Sequence, residues 1–80
     1  MNGYNGWKNW ETWNMALWCD NEEPIYRARV SAKRFITNWT SQTAQDFCLQ
    51  HFPNGTPDFD TRGEIDVIDW QEIADSWNAE

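Results

Sequence analysis

Eighty residues, seven of them tryptophan and 16% of them aromatic, allow one small domain whose marginal core must be built largely from rings. The net charge of −7 sits entirely in residues 58–80, where eight acids face Arg62 alone, while residues 1–57 balance five bases against five acids. That polarity argues against direct nucleic-acid binding, which rests on positive charge, and no apolar run approaches the length needed to cross a membrane.

The chain opens with turn-forming glycines and asparagines. Asn9 is a good N-cap and Glu11 suits a first turn, so the spacing predicts a helix over 10–20. Trp10, Trp13 and Leu17, at i, i+3 and i+7, are expected to form its buried stripe. Trp7 precedes the cap and is a candidate surface ring. Asn14 falls inside the stripe, and a buried amide needs several hydrogen-bond partners. It is expected to tie down a loop or to lie at a boundary.

Pro24 suits the first position of a second helix, predicted over 24–39, and Glu22 and Glu23 favour its positive end. Ile25, Ala28, Ala32, Phe35, Ile36 and Trp39 form a sustained apolar seam. Arg27 and Arg34 flank it on one side, Arg29 and Lys33 on the other, in the manner of side chains that snorkel around a core stripe. Tyr26 and Val30 project away from the seam and are candidates for contact with a partner. Homodimerisation through this helix is compatible with the same pattern.

Thr40 or Ser41 can cap a third helix, 42–52, with the stripe Ala44, Phe47, Cys48 and His51. Pro53-Asn54-Gly55-Thr56-Pro57 ends it and begins an acidic loop over 53–68. Asp69 and Glu72 have capping-box spacing, and Ile68 can staple onto Ile73, which predicts a fourth helix over 69–78 with the stripe Trp70, Ile73, Ala74 and Trp77. Strand signals are confined to Ile65 and Val67. The class is all-α: one domain over 1–80, a compact bundle of about four short helices with a Trp-rich core.

Little in the chain points to catalysis. Phosphate loops, HExxH and CxxC are lacking, and the Cys48–His51 spacing has no orienting third group, so an enzyme and a bound cofactor are not expected. Cys19 and Cys48 fall within predicted helices and read as reduced, packed thiols. Asp58 to Asp69 resembles a calcium loop at positions 1, 3, 6, 9 and 12, but Arg62 stands at a ligand position and Asp69 is short for a bidentate role. A solvated acidic loop is the simpler reading, and a calcium-binding regulator through 58–69 an alternative. Asp58, Asp60, Glu64, Asp66, Asp69, Glu72 and Asp75 could together imitate the charge pattern of DNA.

NGWKNWETWNMALWCDNEE, at residues 5–23, resembles the N-terminal motif of a family of small uncharacterised proteins common in phage and other mobile-element genomes. The run Ile68-Asp69-Trp70-Gln71-Glu72-Ile73-Ala74 is similar to that family's usual ending. The resemblance implies a phage-type accessory protein in the host cytoplasm and carries over no catalytic residue. The expected function is binding and modulation, in the sense of inhibition, of a host protein through Tyr26, Val30, Arg27, Arg34 and Trp7. An acidic DNA mimic directed at a defence or transcription protein is the alternative.

Overall fold

The computed structural model describes residues 6–63 and 65–79. Four helices dominate it: α1 (Trp10–Asn21), α2 (Glu23–Ala32), α3 (Ser41–His51) and α4 (Trp70–Asn78). Between α3 and α4 lie a short antiparallel hairpin, β1 (Gly55–Thr56) with β2 (Phe59–Asp60), and a single 3-10 turn at Ile65–Val67. The all-α class and the ring-rich core hold. No helix among the described residues is long and apolar enough to cross a membrane.

Local chemistry sets the helix starts. Asn9 accepts a hydrogen bond from the Thr12 N–H at 2.9 Å, and Thr40 closes a reciprocal capping box with Thr43. Asp69 caps α4 by accepting from the Glu72 N–H at 3.0 Å. The Glu72 carboxylate does not close the box in return; it accepts from the Lys8 N–H, while the Asp69 N–H goes to the Thr12 hydroxyl. Asn9 also donates to the Val67 carbonyl at 2.8 Å. The starts of α1 and α4 are therefore laced together by side-chain-to-backbone bonds.

The buried face of α1 differs from the expected one. Trp10 and Trp13 are only half-buried, as are Leu17 and Trp18, whereas Thr12, Met15, Ala16 and Cys19 are buried. These four again stand at i, i+3, i+4 and i+7, but on a stripe rotated from that of the tryptophans. Apolar residues surround α1 on all sides, so periodicity does not choose a face. The choice falls to small residues that admit α4 and to polar ones that find partners there.

The centre of the core is a cluster of edge-to-face rings from Trp39, α3 and α4. Trp39 lies 4.8 Å from Trp77 and 5.5 Å from Phe47, and Phe47 lies 5.7 Å from Trp77. Trp70, Ile73, Ala74 and Trp77 are all buried, as their spacing predicts.

The second helix is shorter than its seam suggests. It ends at Ala32, and residues 33–36 close it with bonds that include three of the tighter i−3 type. Trp39 is drawn out of helical register because the Asn78 amide clasps its backbone from both sides. The Trp39 N–H donates to Asn78 Oδ1 at 2.7 Å, and Asn78 Nδ2 donates to the Trp39 carbonyl at 2.8 Å. Arg29 is also misplaced by the helical pattern: it is 1% exposed rather than snorkelling. Its guanidinium lies over the Trp77 and Tyr26 rings at 5.0 and 5.1 Å and pairs with Asp20 at 3.4 Å. Trp77 Nε1 donates to the same Asp20 oxygen, which ties α1, α2 and α4 at one point.

Replacing Trp77 with Ala should lower the unfolding free energy by about 3–5 kcal/mol, as for other large-to-small changes in a core. Phe35→Ala, at an 87% exposed position, should stay within about 0.5 kcal/mol of the parent. Urea melts of the two variants check the contrast; equal losses would contradict this assignment of the core.

Candidate protein-docking groove

Several concavities mark the described surface. An open groove of about 560 Å³ runs between α2 with its closing turn and α3. Its floor and walls are mostly apolar: Ala28, Ala32 and Ile36 on one side, Phe47 and the His51 ring on the other. The His51 ring lies tilted against Phe47, with ring centres 4.7 Å apart, and Asp46 is the acidic group on the α3 wall. Phe35 stands at the lip and is 87% exposed, although the apolar seam places it in the core. The clasp on Trp39 explains this: it ends the helix early, and the closing turn swings Phe35 outward.

The candidates expected on α2 are present but divide between surfaces. Tyr26 and Val30 are 41% and 42% exposed. At about 100° per residue they lie some 160–200° around α2 from Ala28, on the side away from the groove. Arg27 is exposed and pairs with Glu23 one turn earlier. Arg34 is exposed beyond the helix end, beside Lys33, which is also exposed. Trp7 is half-buried against the core and lines a separate cleft of about 170 Å³ with Trp13, Leu17 and Asp20. Phe35 and the groove are not legible as a site in the sequence, because the seam that contains them reads as continuous helix.

The acidic segment uses several of its carboxylates inside the fold. Asp58 accepts from Asn14 Nδ2 at 2.7 Å and from Trp18 Nε1 at 2.8 Å, and these two bonds hold its carboxyl below the ordinary value of 3.8. The Arg62 guanidinium and backbone N–H pull Asp60 down to about 2. Asp69 caps α4, Glu72 holds the Lys8 N–H, and Asp75 accepts from Gln71 one turn earlier. Asp66 is exposed, and Glu64 lies outside the described residues. The calcium-loop positions Asp58, Asp60 and Asp69 thus each face donors of their own within the protein. Among the described residues no group of three or more His, Cys, Asp or Glu side chains could hold a metal ion.

A family model matches residues 1–79 of the chain. The chain belongs to DUF7249, a family of unknown function. No curated protein and no solved structure matches it.

In this DUF7249 chain Asn14 is the residue that anchors the hairpin. Its Oδ1 accepts the Thr56 hydroxyl at 2.6 Å while its Nδ2 donates to Asp58, so the amide does tie down a loop. The Thr56 oxygen in turn accepts the N–H groups of Asp58 and Phe59 across the turn. Gly55 has a φ of +112°, and a Cβ there would collide with the backbone of β2, lying 2.7 Å from the Thr61 nitrogen. Only glycine fits that approach.

Asp58 makes stability pH-dependent in a stated direction. Its carboxyl has a lower pKa folded than unfolded, so the unfolded chain takes up the proton first as pH falls. The contribution is complete above the ordinary carboxyl value and is lost as pH drops through the folded value. In thermal melts Asp58→Asn should fall less steeply than the parent below about pH 4. An unchanged acid limb would contradict the role given to the Asn14 and Trp18 bonds.

Proposed function

We propose that this DUF7249 chain is a small protein-binding module, a phage-type accessory protein that modulates a host protein by seating one of its segments in the groove between α2 and α3. The observation that carries the reading is Phe35, a large apolar ring left in water at the lip of an apolar groove in a chain that has little apolar surface to spare. A groove between two helices suits an amphipathic helix, whose apolar face inserts while its flanks stay wet. Lys33 and Arg34 are exposed between the groove residues Ala32 and Phe35 without lining the groove, and they favour acidic residues on a segment that runs past its lip. Tyr26 and Val30, around the other side of α2, supply a second and smaller contact area for a partner larger than one helix.

The DNA-mimic reading has less support, since Asp58, Asp60, Asp69 and Glu72 direct their carboxylates to donors within the chain.

A peptide library displayed against the folded protein tests the docking reading and needs no identified partner. Enriched peptides should be amphipathic helices with acidic flanks, and Phe35→Asp should weaken them at least about tenfold while Tyr26→Ala does not. Peptides insensitive to Phe35→Asp, or enriched for basic residues that bind the C-terminal acids, would overturn it. Light scattering over a range of concentrations adds a separate check: a dimer abolished by Phe35→Asp would give the groove to a second copy of the chain instead.

A further inference from the structure

Cys19 on α1 and Cys48 on α3 are both fully buried free thiols, 29 positions apart in sequence, and their sulfurs lie 3.3 Å from one another. Their location gives the pair more than packing significance. α1 packs chiefly on α2, and α3 packs chiefly on α4, so the two sulfurs meet where one helix pair faces the other. A disulfide requires sulfurs at about 2.0 Å, so closing the bond asks for a shift of little more than about 1 Å shared between two side chains.

We propose that Cys19 and Cys48 are a reversible disulfide site that staples the α1–α2 pair to the α3–α4 pair. The co-reactant is a small-molecule disulfide such as oxidised glutathione. One protein thiolate attacks it, forming a mixed disulfide and releasing the first glutathione thiolate. The second protein thiolate then attacks the protein sulfur of that mixed disulfide, forming the Cys19–Cys48 bond and releasing the second. Two electrons pass from the protein to glutathione, and the two thiol protons end on the two released glutathiones.

The hydrogen bond from Cys19 and the burial of the site both hold the Cys48 thiol well above its ordinary pKa, and the closed fold therefore keeps it protonated. Oxidation proceeds through transient opening of the helix pairs, and the bond once made opposes that opening. The site is independent of the docking groove, which lies on the α2 side of α3, so failure of either reading leaves the other standing.

The test uses the wild-type chain, incubated with excess oxidised glutathione and then compared before and after dithiothreitol. The oxidised protein should be monomeric, lighter by two hydrogens, without titratable thiol after unfolding, and should yield a peptide pair joined at Cys19 and Cys48. Its Tm should rise by on the order of 10 °C and return on reduction. Cys48→Ala, followed by mass alone, should show no loss of hydrogen whether or not the variant is stable. Two titratable thiols after prolonged exposure, glutathione retained on either cysteine without closure, chain-to-chain linkage, or a lowered Tm would each overturn the proposal.

Discussion

One buried amide holds the acidic third of the chain in place. Residues 58–80 carry the whole net charge, and their repulsion favours an expanded arrangement. Asn14, 1% exposed on α1, binds Thr56 with its oxygen and Asp58 with its nitrogen. Thr12 and Asn9, on the same helix and its cap, hold the Asp69 N–H and the Val67 carbonyl. A buried polar group left without a partner costs about 1–3 kcal/mol, so each of these bonds penalises any other register of the C-terminal segment on α1. Specificity here comes from polar complementarity more than from apolar contact.

Once α4 is placed, the remaining packing follows. Its Trp77 meets Trp39 and Phe47 edge to face, and its Asn78 clasps the Trp39 backbone. That clasp stops α2 from continuing, turns Phe35 into solvent and leaves the groove beside α3 unfilled. The buried Arg29 completes α2's attachment through Asp20 and the Trp77 ring, which lets so short a helix dock with few large apolar side chains. Fold and candidate site thus share one cause: the surface open to a partner is what the Trp39 clasp leaves behind.

Much of the fold is readable in the sequence because it depends on short-range chemistry. The caps at Asn9, Thr40 and Asp69, proline at the start of α2, and the α4 stripe all act within one or two helical turns. Long-range competition is not readable. The apolar seam of α2 runs unbroken to Trp39, and nothing near it announces that Asn78 will take the backbone there. The charge on Arg29 reads as a solvated flank until Asp20 and Trp77 arrive from other helices. The three tryptophans of α1 lie off the face it buries, where Thr12, Asn14, Met15, Ala16 and Cys19 sit instead, and apolar periodicity alone does not announce that choice. The hairpin escapes a sequence reading because Asn54-Gly55 and Pro57 signal a turn without showing that Thr56 will pair across it. Of the candidate site, Tyr26 and Val30 are legible as exposed, whereas Phe35 is hidden by the helical pattern that its own turn breaks.

The most direct test of the organising role given to Asn14 is a double-mutant cycle between Asn14→Ala and Thr56→Val, measured by urea unfolding of the four proteins. Coupling of about 1–2 kcal/mol, with the double variant losing much less than the sum of the single losses, is the predicted result. Additivity within about 0.5 kcal/mol would contradict it, because the hairpin would then be held by something other than the Asn14–Thr56 bond.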